Sequence, residues 1–227
     1  MIQFHNTAVM NFEGALRGMR NPLNSWDKAD SCDKGWAYCQ EFCTNHSKCG
    51  IEWPEQGLYI GPNDLNLAQR LIKAGPDHRK FLRQIIVSVD IIAPLYWWKE
   101  FDTYKVATVS NSCSTMHTIH KKEFTLDDFS HEHLTSGGVV SLKNMIERLN
   151  LSRNFFIKEK DKSYWWDMIQ LLPSSYNQRR TITMNYETLR NIYKSRRNHK
   201  LDEWSIGFMG WIDSLPYAEE LIKYENS

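Results

Sequence analysis

A β-branched run that leads directly into a proline constrains this chain more than any other feature of its sequence. Residues 85–92 read Ile-Ile-Val-Ser-Val-Asp-Ile-Ile, a composition typical of a buried strand. Pro94 lacks a backbone N–H and has a φ angle that suits the first turn of a helix, so we expect the strand to end there and a helix to run through Phe101. A buried strand that feeds an aromatic helix predicts a mixed α/β fold.

Apolar residues recur at helical spacing along most of the remaining chain. The predicted helices cover residues 11–20, 63–74, 142–149, 164–172, 185–196 and 203–215, with a last helix from residue 216. A second strand is predicted at residues 180–184, where β-branched and polar residues mix. The sequence therefore predicts an α/β (α+β) fold in which helices surround a small central sheet.

Length and composition favour one domain. The chain has 227 residues, of which 41% are apolar and 24% are charged, and these are ordinary values for a globular protein. No linker is long enough to divide it, so residues 1–227 are predicted to form a single domain. The exception to regular periodicity is an irregular excursion at about residues 27–62, where Gly, Pro, Asn, Asp, Ser and Cys dominate.

Charge balance and apolar patterning exclude several classes of protein. Lys plus Arg number 28 against 27 Asp plus Glu, so the net charge of +1 argues against a chain built to bind nucleic acid. No stretch approaches the roughly 20 apolar residues of a membrane span. The first twenty residues do not resemble a secretory signal, and five cysteines without such a signal predict free thiols and a cytoplasmic location.

Four cysteines and three histidines are candidate metal ligands. Four cysteines lie within 18 residues, with one histidine among them: Cys32, Cys39, Cys43, His46 and Cys49. Such a group could close a tetrahedral zinc site, but no pair shows the C-x-x-C spacing, so unpaired loop thiols are the favoured interpretation. His131 and His133, near Asp127 and Asp128, are similarly interpreted as solvated loop residues. We therefore predict no metal site.

A hydroxyl-rich run from Thr108 to Thr115 is the first candidate binding segment. It reads Thr-Val-Ser-Asn-Ser-Cys-Ser-Thr, and its hydroxyls and backbone N–H groups could cradle a phosphate. The alternative is a turn-and-strand segment satisfied by local hydrogen bonds. Cys113 in this run is either an activated nucleophile near His117 or an inert buried thiol. Nine tryptophans, within a 13% aromatic content, would also suit a pocket for a planar ring.

The segment Ala93–His117, APLYWWKEFDTYKVATVSNSCSTMH, resembles the signature region of the flavin-dependent thymidylate synthases. In that family an Ala-Pro opens a helix, an aromatic-rich turn follows, and the motif R-H-R-x-x-S-x-N-E-x-S-x-R comes next. The corresponding run here is Thr103-Tyr104-Lys105-x-x-Thr108-x-Ser110-Asn111-x-Cys113-x-Thr115. The resemblance implies that Lys105 contacts flavin or folate, and that Thr108, Ser110 and Cys113 line the substrate.

Two further stretches are similar to the same family. Leu171–Trp204 matches its Leu-Pro, strand and Asn-led helix, which implies that Asn185 and Asn191 contact flavin and that Arg196 orients the pyrimidine base of dUMP. The segment before the strand is similar to the family's helix followed by Gly and His. This match implies that His78 lies near a family histidine that contacts flavin and folate. Asn185 also precedes a helix, so an N-cap is its alternative role. For Arg196 the alternative is a cation at a helix C-terminus.

The resemblance spans roughly residues 63–225 and carries expectations about the whole protein. It implies a homotetramer that binds FAD across subunits and a small-molecule nucleotide substrate. Reduced flavin would deliver hydride while methylenetetrahydrofolate supplies carbon, with NADPH as the reductant. It identifies no catalytic side chain in this sequence.

Departures from the family motif bear on the substrate. Thr103 and Thr115 stand where the family has arginines, and Lys105 keeps the charge without the bidentate fork. Ile169 occupies the position of a further phosphate-binding arginine of the family, and Asn111 occupies the position of the motif glutamate. Each lost charge-assisted hydrogen bond is worth about 1.5–3 kcal/mol, so we expect ordinary dUMP binding to be weakened.

Two classes of function follow from these departures. The leading hypothesis is a thymidylate-synthase-like enzyme acting on a deoxyuridine nucleotide or a related pyrimidine, including one that kept the flavin and changed its substrate. The alternative is a catalytically inactive protein of the same fold that sequesters or senses a nucleotide.

Overall fold

The computed structural model describes residues 2–32 and 58–225 of the chain. In chain order its elements are β1 (Gln3–Met10), α1 (Phe12–Arg20), α2 (Pro62–Ala74), β2 (Ile86–Pro94), α3 (Leu95–Phe101), β3 (Val109–Ser112), α4 (Thr115–Thr118), α5 (Ser136–Glu159), α6 (Lys162–Gln170), β4 (Asn177–Asn185), α7 (Tyr186–Arg196) and α8 (Met209–Asp213). Short 3-10 turns lie at Asn21–Leu23, Trp26–Lys28, Lys80–Arg83 and Leu126–Asp128, and π-helical segments at Glu203–Phe208 and Ala218–Ile222.

The predicted class, helices with a small sheet, is confirmed. The four strands form one antiparallel sheet in the order β1-β2-β4-β3. Sequence patterning predicted β2 and β4. Of the two edge strands, β3 was predicted only as the alternative interpretation of the hydroxyl-rich run, and β1 was not predicted. In β1 only Phe4 and Val9 are partly buried, and all four residues of β3 are exposed, so neither strand carries an alternation of buried apolar residues.

The strand that ends at Pro94 has the expected alternation. Val87, Val89 and Ile91 are at most 1% exposed, whereas the residues between them face the half-exposed side of the sheet. Helix α3 begins directly after Pro94 and buries three aromatic side chains, Trp97, Trp98 and Phe101. The rings of Trp97 and Phe101 stack with their centroids 5.1 Å apart.

The half-exposed face of the sheet carries a polar cluster centred on Asp90. Its carboxylate accepts hydrogen bonds from Thr181 Oγ1 and Arg179 Nη2, both at 2.6 Å, and from Asn6 Nδ2 at 2.9 Å. The hydrogen bond from Thr181, followed by those from Arg179 and Asn6, holds the pKa of Asp90 well below its usual range. The ionised carboxylate is therefore the form that the fold favours.

The chain divides into two compact units, and the first contains Val89–Lys105 and Val109–Ile182 together with the residues up to Asn6. Its helices α5 and α6 pack against each other around an apolar cluster. The cluster consists of Ile119, Phe124, Phe129, Leu142, Ile146, Leu149 and Met168. Helix α5 is capped by Thr135, whose hydroxyl accepts from the Gly138 N–H at 3.2 Å.

The second unit contains Thr7–Ser88, Val106–Thr108 and Thr183–Ser227. Its core includes an ion pair between Arg20, at the end of α1, and Asp64, in the first turn of α2, with Nε and Oδ1 2.6 Å apart. The two side chains are 3% and 1% exposed. The second carboxylate oxygen accepts from the Ser31 hydroxyl at 2.6 Å, and the arginine also donates to the carbonyl of Lys28 at 2.9 Å. The pair thus ties the segment before residue 32 to both helices.

Removing the charge of Asp64 should destabilise the second unit strongly. Asp64→Asn keeps the shape but leaves the Arg20 guanidinium buried without its counterion, which typically costs about 3–5 kcal/mol. We expect that loss in the free energy of unfolding measured in urea. Asp27→Asn, at an exposed nearby position, is the matched control. A loss below about 1 kcal/mol for Asp64→Asn would show that the pair is not needed.

Asp90 should make the protein sensitive to acid. Because its folded pKa is lowered, the stabilisation is complete above the pKa of the unfolded chain, about 3.9, and is lost as the pH falls toward the folded value. We expect the melting temperature of Asp90→Asn to lie below that of the natural protein at pH 7 and the gap to narrow below about pH 4. Parallel melting curves for the two proteins across this range would contradict the assignment. Asp77→Asn, in an exposed turn, is the control.

Candidate functional site

The residues predicted from the sequence to form a site are distributed over both units. Lys105, Ser110 and Cys113 belong to the first unit. The second unit contains His78, Thr108, Asn185, Asn191 and Arg196.

The hydroxyl-rich run forms a strand and a turn, as its alternative interpretation predicted. Ser110 lies in the exposed edge strand β3, and Ser114 caps the short helix α4 by accepting from the His117 N–H at 3.1 Å. The Cys113 N–H donates to the Arg179 carbonyl at 3.0 Å. The interpretation of Cys113 as a buried thiol is wrong: the side chain is exposed, because the residue follows the edge strand rather than entering the core.

A buried glutamine of β4 fixes the turn at Cys113. Gln178 is 9% exposed, and its Nε2 donates to the Cys113 carbonyl at 2.9 Å and approaches Thr115 Oγ1 at 3.5 Å. Its Oε1 accepts from Arg180 Nε at 2.9 Å. Sequence reasoning missed this residue. The available signal was a pair of polar residues, 178 and 180, at period two on the face of a strand whose other members are apolar.

Arg180 is held at the centre of this arrangement. Its guanidinium lies 4.2 Å from the centroid of the Trp98 ring, and its Nη1 donates to Asp102 Oδ1 at 2.7 Å. Trp98 Nε1 in turn donates to the Gln178 carbonyl at 3.0 Å. The cation is therefore fixed by a ring face and two hydrogen bonds, with its side chain 14% exposed.

Thr108 contains a buried polar atom without a partner. Among the described residues, its Oγ1 is one of four buried side-chain nitrogen or oxygen atoms that make no hydrogen bond within the protein. Ala107, immediately before it, has a φ of 58°, a left-handed conformation that an alanine adopts only at a cost. A strained residue next to an unsatisfied hydroxyl is an arrangement commonly found at binding sites.

Asn185, which precedes α7, and Asn191, within it, differ in how far their side chains are exposed. Asn185 is 5% exposed and caps the helix, since its Oδ1 accepts from the Thr188 N–H at 2.9 Å. Its alternative role as an N-cap is confirmed. Asn191 lies one and a half turns further along and is exposed.

Arg196 ends α7, where a cation is stabilised by the helix dipole. Its guanidinium carbon lies 5.2 Å from the centroid of the fully buried Trp204 ring, within the range of a cation–π contact. His78, by contrast, is exposed in the turn after α2. The next residue, Arg79, donates from Nε to Glu187 at 2.9 Å, and this pair connects the turn to the start of α7.

Some of the candidate metal ligands lie among the described residues and others do not. Cys39, Cys43, Cys49 and His46 lie outside the described residues, while Cys32 is free and forms a β-bridge with Tyr59. Within residues 2–32 and 58–225, no three His, Cys, Asp or Glu side chains form a group that could hold a metal ion. His131 Nδ1 lies 2.8 Å from the Phe129 carbonyl. In the same ranges, no helix is both long enough and apolar enough to cross a membrane.

Comparison with known proteins gives matches in structure but not in sequence. No protein-family model and no curated protein sequence matches the chain. A crystal structure of thymidylate synthase X from Helicobacter pylori with FAD and dUMP aligns with a TM-score of 0.66 over 98% of each chain, at 14% identity. Another, of the flavin-dependent thymidylate synthase ThyX of that organism complexed with FAD and dUMP, aligns at 0.64 over 97% of this chain and 98% of that chain, also at 14% identity.

This similarity agrees with the one found in the sequence segments 93–117 and 171–204. It covers nearly the full length of both chains, although few residues are identical. The protein therefore has the fold of the flavin-dependent thymidylate synthases.

Proposed function

We propose that this chain is a flavoprotein that binds a pyrimidine nucleotide and carries out one-carbon transfer and reduction on it. The observation that supports this most strongly is the shared fold over 98% of a protein solved with both FAD and dUMP. By the same resemblance, it would act as a homotetramer and use methylenetetrahydrofolate and NADPH as co-substrates. Its cysteine content favours a cytoplasmic location.

The chemistry of several residues fits a flavin dinucleotide. Lys105 and Asn191 are exposed, and their ammonium and carboxamide groups can donate to diphosphate and ring-carbonyl oxygens. The unpartnered Thr108 hydroxyl is a third donor whose burial is explained if a ligand completes its hydrogen bonding. When bound, flavin supplies the hydride chemistry, while the protein binds, orients and excludes water.

The remaining site residues have more limited roles in this proposal. The side-chain oxygen of Asn185 already accepts the hydrogen bond that caps α7, so only its NH2 group can donate to a cofactor. His78 is exposed and would contact flavin or folate. Ser110 and Cys113 offer a hydroxyl and a thiol to the substrate from the exposed strand and turn.

Arg196 would orient the base. A guanidinium presents its donors in one plane, and the cation–π contact with Trp204 restrains the Arg196 side chain before the ligand arrives. A uracil ring presents carbonyl oxygens along its edge, which a planar pair of N–H groups can match.

One observation favours the binding protein without catalysis as a second candidate. Ile169, at the position of a phosphate-binding arginine in the family, packs against the apolar cluster of α5 and α6. Thr103, at another such position, donates its hydroxyl to the Glu100 carbonyl at 2.7 Å. Neither side chain can supply charge to a ligand, so a nucleotide could be held without the full set of catalytic contacts.

Arg196→Lys should weaken nucleotide binding selectively. Lysine keeps the charge but loses the planar fork of donors, so we expect the Kd for dUMP to rise about 10- to 100-fold. FAD retention should be unchanged. Arg197→Lys is a matched control, because this neighbouring arginine pairs with Glu225 at 2.7 Å. Calorimetric titration with dUMP measures both variants. Equal affinities for Arg196→Lys and the natural protein would remove Arg196 from the site.

Transfer of isotope label from methylenetetrahydrofolate distinguishes the enzyme from the binding protein. The protein, FAD, NADPH and dUMP are incubated with labelled folate, and the nucleotide is analysed by mass spectrometry. Label in the product supports the enzyme. Binding of dUMP with no label in any nucleotide favours the second candidate, and label in a different pyrimidine indicates an altered substrate.

A further inference from the structure

We propose that Arg180 binds the phosphate of the nucleotide, in place of the arginines missing from the motif segment. This inference rests on the proposed function. Arg180 lies on β4 rather than in the motif, and no motif pattern would identify it. What singles it out is its connection to the turn at Cys113 through one side-chain amide.

One side chain, that of Gln178, connects Arg180 to the turn at Cys113. Gln178 accepts from Arg180 Nε with its oxygen and donates to the Cys113 carbonyl with its nitrogen, each at 2.9 Å. The guanidinium and the turn are thus separated by a single carboxamide group. The same nitrogen lies 3.5 Å from the hydroxyl of Thr115, one of the positions where an arginine is absent.

Arg180 also retains the capacity to bind an anion. Of its three nitrogens, Nε donates to Gln178 and Nη1 to Asp102, whereas Nη2 makes no hydrogen bond to any described residue. Asp102 is 50% exposed, so this ion pair is screened by water and holds the guanidinium only weakly. A phosphate, with more charge and more acceptor oxygens, would compete well for the same N–H groups.

The surroundings suit a phosphate monoester better than an apolar group. The edge strand β3, which leads into the turn at Cys113, contains two exposed serines at positions 110 and 112, whose hydroxyls can donate to phosphate oxygens. The guanidinium is fixed beforehand by the Trp98 ring face at 4.2 Å, so little rotamer entropy is lost when the anion binds. The guanidinium, the serine hydroxyls and the Trp98 ring all belong to the first unit.

The opposite face of the same strand provides a matched control. Arg179, the preceding residue, points to the other side of the sheet and pairs with Asp90 at 2.6 Å. Arg179→Met and Arg180→Met remove the same charge from adjacent residues. General electrostatic effects would therefore appear in both variants, and a phosphate contact only in the second.

The test compares dUMP with deoxyuridine, which lacks the phosphate, by calorimetric titration of the FAD-loaded protein. We expect Arg180→Met to raise the Kd for dUMP about 10- to 100-fold and to leave that for deoxyuridine unchanged. Arg180→Lys should lie between, and Arg179→Met should match the natural protein. Asp102→Asn should tighten dUMP binding several-fold, because it removes the competing carboxylate, with no effect on deoxyuridine.

Three results would overturn the inference. Equal losses for dUMP and deoxyuridine in Arg180→Met, also seen in Gln178→Leu, would make Arg180 a support of the turn only. Unchanged dUMP binding in Arg180→Met and Arg180→Lys, with natural circular dichroism spectra, would exclude any role. If the natural protein binds neither ligand, the proposed function fails as well, whereas the first two results leave it standing.

Discussion

The alternation of side chains along β4 is the constraint on which the candidate site depends. Successive residues of a strand point to opposite faces, so residues 178 and 180 support the turn at Cys113 while 179 and 181 hold Asp90. A slip of one residue in the register between β2 and β4 would exchange these faces. It would bury Arg179 and detach the turn. The Asp90 cluster and the Trp98 ring each hold one of the two faces in place.

In this arrangement a chain without the motif arginines would still offer a cation to an anion. Positive charge is useful wherever its N–H groups reach the ligand, whichever element carries it. The family's arginine positions at Thr115 and Ile169 carry a hydroxyl and an apolar side chain here, and Ile169 packs, partly buried, against the apolar cluster of the first unit. A guanidinium on the neighbouring strand, fixed by an aromatic ring, would provide the missing charge from a more rigid support.

Local sequence signals predicted the parts of the fold that local physics determines. Pro94 ended β2 and began α3, and apolar periodicity predicted α1, α2, α5, α6 and α7. The same periodicity could not reveal the edge strands, which bury almost nothing. Nor could it reveal Gln178, because its role depends on a contact 65 residues away in the chain. The motif resemblance implied that Asn185 contacts flavin, whereas its position directly before a helical pattern predicted the cap that the structure shows.

The most direct test of the account is whether the protein holds a flavin. The purified protein is mixed with FAD, passed through gel filtration, and its visible absorption spectrum is recorded. The account predicts that the flavin absorption bands elute with the protein. A colourless protein peak, with all added FAD in the small-molecule fraction, would contradict it, because the hydride donor that the proposed reaction requires would then have no site on the protein.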